Sequence, residues 1–346
     1  MGSLIENKEA KNISGNDAFY RISLLLLFLT AFLTRVAFLG YSTMIHTECE
    51  NAQNTGLVMD CFRQLPLWKG LWRVWHVFPN NNNPFMQSSA FNVPISALFG
   101  LNEFSIRLNA AIGGWVSLII IYIIFLRHTD KLTALFALIL LTFNPFLITF
   151  NRFGHVDSLQ TTFLLAGLLF VDRYCLSEKP RVVTLFISSF LFSIAFLLKY
   201  NAVVMIAMIL ALYYFIFNLK LKNVFLVILL IIGFTGLLFV DQLDKLLGTI
   251  FGSFGYTKLD TEISTANFLY QKAVHVKNDF IFYLKAHVIY FEYTVFPILI
   301  GLLFLKKIEN RFFRFLVFFS IIYFLCLILL GRSFYRYLQI GTFMAT

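Results

Sequence analysis

Long apolar runs separated by short polar segments recur along nearly the whole chain. Several runs reach the length of about 20 residues that a helix needs to cross roughly 30 Å of hydrocarbon, where only helices and closed barrels satisfy their own backbone polar groups. The pattern predicts an all-α polytopic membrane protein with about 9 to 11 transmembrane helices. The predicted spans are 21–40, 106–126, 132–150, 158–172, 182–198, 202–217, 224–240, 286–305 and 315–330, followed by an apolar segment from about residue 338.

Composition and charge exclude an ordinary soluble protein. Hydrophobic residues make up 59% of the 346 residues and charged residues only 13%, whereas a soluble domain carries about a quarter charged residues. The net charge of +10 could indicate a nucleic-acid partner, but the basic residues lie in short loops between predicted spans, where they orient the chain in the bilayer. We therefore expect membrane lipids as partners and no nucleic acid.

The basic loops also predict an orientation. Lys and Arg are dense at 127–131, 173–181, 220–222 and 306–314, and the positive-inside rule places such loops in the cytosol. Residues 1–20 then form a cytosolic tail and residues 21–346 a transmembrane domain. The long loops at about 41–105 and 241–285 face the other side. Within the first loop, the short apolar stretch 85–100 predicts an interfacial or re-entrant helix. A segment with tryptophans at helical spacing predicts an interfacial helix. These tryptophans are Trp68, Trp72 and Trp75.

Polar residues without an obvious topological role collect on the predicted non-cytosolic side. They are Glu48, Glu50, Arg107, Arg152, His155, Asp157, Lys199 and Arg336. Ionisable groups at span ends are costly to desolvate unless they meet partners or water, so their convergence predicts a polar cavity. The alternative is that each side chain reaches the interface separately and has only a structural role.

Four segments carry a resemblance to a known family. They are LFGLNEFSIRLNAAIGGWVSLIIIYII at 98–124, NPFLITFNRFGHVDSLQTTFLLAGLLF at 144–170, SIAFLLKYNAVVMIAMI at 193–209 and SFYRYLQIGTFMA at 333–345. In this order they resemble the GT-C membrane glycosyltransferases, in particular the dolichyl-phosphate-mannose protein mannosyltransferase group that includes the aminoarabinose transferase of lipid A. The resemblance implies a GT-C-like helical bundle, and we expect the C-terminal part of the family pattern to be missing.

The resemblance also implies roles for individual residues. The acid that the family places after its first span is matched by Glu50, with Glu48 two residues earlier; the family usually has Asp there, so which carboxylate is the catalytic base stays open. Arg107, Arg152, Lys199 and Arg336 would bind the phosphate of the donor. Asp157 would contact the sugar or pair with Arg152. Some members use a divalent ion, for which His155, Asp157 and Glu48 are weak candidates; no cofactor is certain.

The resemblance implies transfer of a sugar from a polyprenyl-phosphate donor to a protein, lipid or glycan acceptor. The reaction would occur on the non-cytosolic face of a plasma (inner) membrane or of the endoplasmic reticulum. One alternative is a transporter or lipid flippase, which predicts broken or charged helices near the bilayer midplane and an internal repeat. Another is a catalytically inactive GT-C-like scaffold subunit, which the Glu-for-Asp change favours.

Overall fold

The described part of the chain is helical. The computed structural model describes residues 2–40, 46–65, 69, 87–154, 156–199, 202–239, 303 and 308–329. Its helices are α1 (Gly2–Val36), α2 (His46–Gln64), α3 (Gln87–Ala90), α4 (Val93–Phe99), α5 (Glu103–His128), α6 (Lys131–Thr142), α7 (Pro145–Arg152), α8 (Asp157–Leu176), α9 (Val182–Leu198), α10 (Ala202–Phe217), α11 (Leu221–Phe239) and α12 (Arg311–Leu329). No strand occurs in these ranges.

Helices α5 and α8 form the centre of the bundle and run in the same direction. Close to their starts, Thr162 Oγ1 donates to the Gly113 carbonyl at 2.7 Å, and close to their ends Arg127 pairs with Asp172. Small residues allow this approach, because a Cβ at Gly113 would lie 3.2 Å from the Leu159 side chain.

The neighbouring helices α1 and α9 run antiparallel to this central pair. Trp115 Nε1 of α5 donates to the Phe28 carbonyl of α1 at 3.0 Å. Ser188 of α9 donates to the Gly167 carbonyl of α8 at 2.9 Å. The end of α1, the starts of α5 and α8 and the end of α9 therefore meet at one end of the bundle.

The predicted span 132–150 is wrong as a single helix. It is divided into α6 and α7 at Asn144, whose side-chain oxygen accepts a hydrogen bond from the Leu147 amide at 3.1 Å and caps α7. Pro145 has no N–H with which to continue the helix. At the end of α6, the Leu141 carbonyl accepts from Arg35 Nη2 at 3.4 Å. Neighbouring side chains thus satisfy groups that the break exposes, as helix breaks within a membrane require.

Three described helical segments are long and apolar enough to cross a membrane: Ala18–Val36, Glu103–His128 and Asp157–Leu176. Shorter apolar helical segments are Lys131–Thr142, Val182–Leu198, Ala202–Phe217 and Leu221–Leu237. Helix α1 begins at Gly2 and ends at Val36, so it starts well before the predicted first span and ends four residues earlier. Helices α3 and α4 occupy the stretch expected to form one interfacial or re-entrant helix. The tryptophan segment lies outside the described residues. Of the spans predicted after α11, the structure describes the one that corresponds to α12, and nearly all of the others lie outside the described residues.

A buried polar cluster ties four helices together at the opposite end. Asp172 is fully buried; its carboxylate accepts from Arg127 Nε at 2.7 Å and from the Tyr213 hydroxyl at 3.0 Å. His128 Nε2 lies 2.6 Å from the same carboxylate. The His128 ring stacks on Phe312 with 4.4 Å between ring centroids. Helices α5, α8, α10 and α12 are therefore fastened at the end that carries the basic loops.

Candidate functional site

The residues predicted to form the site come from separate segments, and four of them meet at one end of the bundle. Arg107 lies near the start of α5 and Arg152 at the end of α7. Asp157 begins α8, and Lys199 directly follows α9. This end is opposite the Asp172 cluster. The helix directions thus bring together side chains that are more than 90 residues apart in sequence.

Asp157 and Lys199 form a buried ion pair. Lys199 Nζ lies 2.5 Å from Asp157 Oδ1, and the two side chains are 14% and 9% exposed, respectively. The Lys199 backbone is fixed as well, because Gln160 Nε2 donates to its carbonyl at 2.8 Å. The ion pair that the structure describes for Asp157 is with Lys199, whereas the sequence offered pairing with Arg152 as one alternative.

The two arginines contact the end of α1. Arg107 is 4% exposed, and its Nη1 donates to the Leu39 carbonyl at 2.7 Å. Arg152 Nη2 donates to the Ala37 carbonyl at 2.6 Å. Beside them, a cavity of about 520 Å³ is lined by Val36, Phe38, Leu39, Gly40 and Phe104.

Helix α2 is held at the same end by a chain of buried polar side chains. Asn109 of α5 donates to the Asn92 side chain at 2.8 Å, and Asn92 donates to Thr55 of α2 at 3.3 Å. Glu48 and Glu50 lie at the start of α2, and their side chains are outside the description. Glu50 precedes Thr55 by about 7.5 Å along the helix axis. The backbone of the predicted catalytic segment thus begins near this end of the bundle.

Some predicted site residues cannot be placed. His155 and Arg336 lie outside the described residues. Of the weak metal candidates, the structure describes the side chain of Asp157 alone. Within the described ranges, no group of three His, Cys, Asp or Glu side chains could hold a metal ion.

Sequence reasoning missed Arg35 and Gln160. Arg35 is fully buried, and besides contacting Leu141 it donates to the Ala31 carbonyl of its own helix at 3.0 Å. An arginine inside a predicted apolar span was the available signal, since intramembrane charges are rare and have partners. Gln160 gave no comparable signal, because a neutral amide in an apolar helix is not unusual.

Comparison with known proteins supports the fold. The family model described as dolichyl-phosphate-mannose-protein mannosyltransferase matches residues 89–240. The crystal structure of ArnT from Cupriavidus metallidurans in the apo state has a similar fold, with a TM-score of 0.59 and 15% sequence identity. The match covers 96% of this chain and 58% of the ArnT chain. Among curated proteins, none matches the sequence significantly.

The fold is therefore that of a polytopic, all-α membrane protein, as predicted. Over residues 89–240 the chain is similar to the dolichyl-phosphate-mannose-protein mannosyltransferase family, and its fold is similar to that of ArnT. The chain spans only 58% of the length of ArnT, and the matched family segment covers rather less than half of this chain.

Proposed function

We propose that the protein is a glycosyltransferase that moves a sugar from a polyprenyl-phosphate donor to a protein, lipid or glycan acceptor on the non-cytosolic membrane face. The observation that carries this proposal is the meeting of α2, Asp157 and Lys199 at one end of a GT-C bundle. The side assignment rests on charge. Arg127, Lys131 and Arg173 lie at the opposite end, near the Asp172 cluster, where the positive-inside rule places the cytosol.

The proposed chemistry requires a base and a cation. Sugar transfer removes a proton from the acceptor while negative charge develops on the departing phosphate, so an acid-bearing segment and a positioned cation are needed. Glu50, or Glu48, would accept the proton. Lys199, whose ammonium is held in place by Asp157, would contact the phosphate. Arg336 is retained as a further phosphate ligand from the resemblance alone.

Transfer by the purified full chain in lipid nanodiscs, with labelled polyprenyl-phosphate sugars, tests the base. Glu50→Gln and Glu48→Gln should differ: the catalytic one should lose about 10²- to 10⁴-fold in rate, as loss of a general base does. Asp60→Asn is the matched control, because Asp60 is an acid on the same helix with a 60% exposed side chain. Equal rates for all three variants would refute the assignment of the base to α2.

The cation is tested in the same assay. Lys199→Ala should raise the KM for the donor, whereas Lys220→Ala should not, because Lys220 is exposed and precedes α11 at the opposite end. Repeating transfer with a chelator and with added divalent ions tests metal dependence. Absence of turnover with every donor would favour the scaffold alternative. Labelling that placed the segment 41–45 and Lys199 on opposite membrane faces would remove the common site.

The broken span α6–α7 is a feature that the transporter alternative predicts, because many transporters have discontinuous helices. Asn144 caps α7 and Arg35 contacts the end of α6, so the break has structural partners and needs no transported ion. The similar fold of ArnT supports the transferase instead. Donor uptake into vesicles without formation of a glycosylated product would reverse this preference.

A further inference from the structure

The turn that follows α1 has a strained backbone. The helix ends at Val36, and the Ala37 amide still donates to the Leu33 carbonyl at 2.8 Å. Phe38 then has φ of 59°, in the left-handed region that glycine usually occupies after a helix. For a bulky aromatic residue this conformation is unfavourable because its Cβ crowds the backbone. The turn therefore needs support from its surroundings.

Two arginines hold the carbonyls on either side of Phe38. Arg152 donates to the preceding carbonyl, that of Ala37, and Arg107 to the following one, that of Leu39. The arginines belong to different helices, α7 and α5, so each contact fastens the turn to a separate part of the bundle. A cation is also favoured at a helix C-terminus, where the backbone dipole is negative.

We propose that Arg107 and Arg152 are positioning residues that clamp this turn, and that neither is a ligand of the donor phosphate. The turn leads directly into residues 41–45 and the start of α2, where Glu48 and Glu50 lie. Fixing the turn limits the positions from which the acids can approach the acceptor. The inference rests on the proposed function and removes two of the four cations that the sequence assigned to the phosphate.

Steady-state kinetics distinguish a clamp from a phosphate ligand. A positioning role predicts that Arg152→Ala lowers kcat by about tenfold or more and leaves the KM for the donor within about twofold, since binding common to substrate and transition state is kept. A phosphate ligand predicts a raised KM instead, as expected for Lys199→Ala. Arg152→Lys should keep kcat within about threefold, because one N–H to a carbonyl can come from an ammonium, whereas planar bidentate phosphate contact cannot.

Phe38→Gly provides a second kinetic test. Glycine adopts the left-handed conformation without the Cβ penalty, so the turn should need the clamp less. In a Phe38→Gly background, Arg152→Ala should therefore lower kcat by only about threefold or less, which is non-additive with the effect in the original chain. An undiminished loss of kcat in this background would overturn the clamp.

Hydrogen exchange measured by mass spectrometry tests the clamp without any turnover. Arg107→Ala and Arg152→Ala should each speed exchange of the amides 37–40 by about tenfold or more, because the turn opens more often. Exchange within α8 should be unchanged, which excludes general unfolding. Arg173→Ala is the matched control, since Arg173 is exposed and lies at the opposite end. Unchanged exchange at 37–40 would overturn the inference. Faster exchange in a protein that turns over no donor would support the clamp and refute the proposed transferase.

Discussion

Replacing Lys199 by methionine tests how the buried pair with Asp157 contributes to stability and to chemistry. Removing one partner of a buried ion pair costs about 3–5 kcal/mol, because the other charge stays desolvated. Both side chains retain some exposure, 14% for Lys199 and 9% for Asp157, so we expect the lower value, about 3 kcal/mol. Asp157→Asn should cost less, about 1–2 kcal/mol, because the ammonium can reach water on its flexible stem.

The double variant decides whether the pair is coupled. With both charges removed, no desolvated charge is left, so the loss should be about 2 kcal/mol less than the sum of the single losses. Unfolding free energies can be measured by SDS titration in mixed micelles, followed by circular dichroism. The matched control is the exposed pair of Asp60 and Arg63, separated by 3.6 Å, whose coupling should stay below about 0.5 kcal/mol.

The same double variant separates folding from function. It should recover part of the stability that Lys199→Met loses, yet sugar transfer should remain impaired because the phosphate has lost its proposed cation. Additive stability losses, with no coupling between the two sites, would show that the short contact does not compensate for burial of the charges. Full transfer by the double variant would show that Lys199 serves stability alone.

Further predictions concern stability, and the same SDS titration can measure them. Asp172→Ala should cost about 3 kcal/mol or more, because three donors lose a fully buried acceptor; a loss below 1 kcal/mol would contradict the proposed fastening. Gly167→Ala should cost about 1–3 kcal/mol by overpacking, since its Cβ would lie 2.5 Å from the buried Phe192 ring. Gly233→Ala, with nothing within 4 Å, should instead be neutral or stabilising. Hydrogen bonds from the Thr133 hydroxyl and amide lower the pKa of Asp130. Its capping contribution should therefore be present above the ordinary carboxyl pKa and be lost as pH falls through the lowered value; Asp130→Asn should remove this pH dependence.

Sequence patterns predicted the gathering of the site because helix direction follows from counting spans. Each crossing reverses the chain, so Arg107, Asp157 and Lys199 were expected at one end and Arg127 at the other. The structure has this arrangement even though the span 132–150 is broken, since α6 and α7 together still return the chain to the same end. The end of the bundle at which a residue is expected therefore stays correct even when predicted helix boundaries are wrong by several residues.

Side-chain partners could not be predicted in the same way. The sequence identifies Arg107 and Arg152 as cations near a span end. The acceptors that the structure describes for them are the carbonyls of Leu39 and Ala37, and every residue carries a backbone carbonyl. Phe38 has an ordinary hydrophobic side chain, and its left-handed backbone depends on contacts with distant helices. The roles of Glu48 and Glu50 stay predictions, because their side chains are outside the described residues.

Helix α8 shows that the position of an acid along an apolar span decides whether it can belong to the proposed site. It has a buried carboxylate at each end, Asp157 and Asp172, separated by about 22 Å along the axis at 1.5 Å per residue. This separation is less than the roughly 30 Å thickness of the hydrocarbon, so the two carboxylates cannot both extend into water. Because both are buried, each requires a cation from another helix. Lys199 of the α9 end supplies one and Arg127 of α5 the other. Because only the first pair shares an end with α2, the site that we propose can include Asp157, whereas Asp172 lies at the opposite end of the bundle.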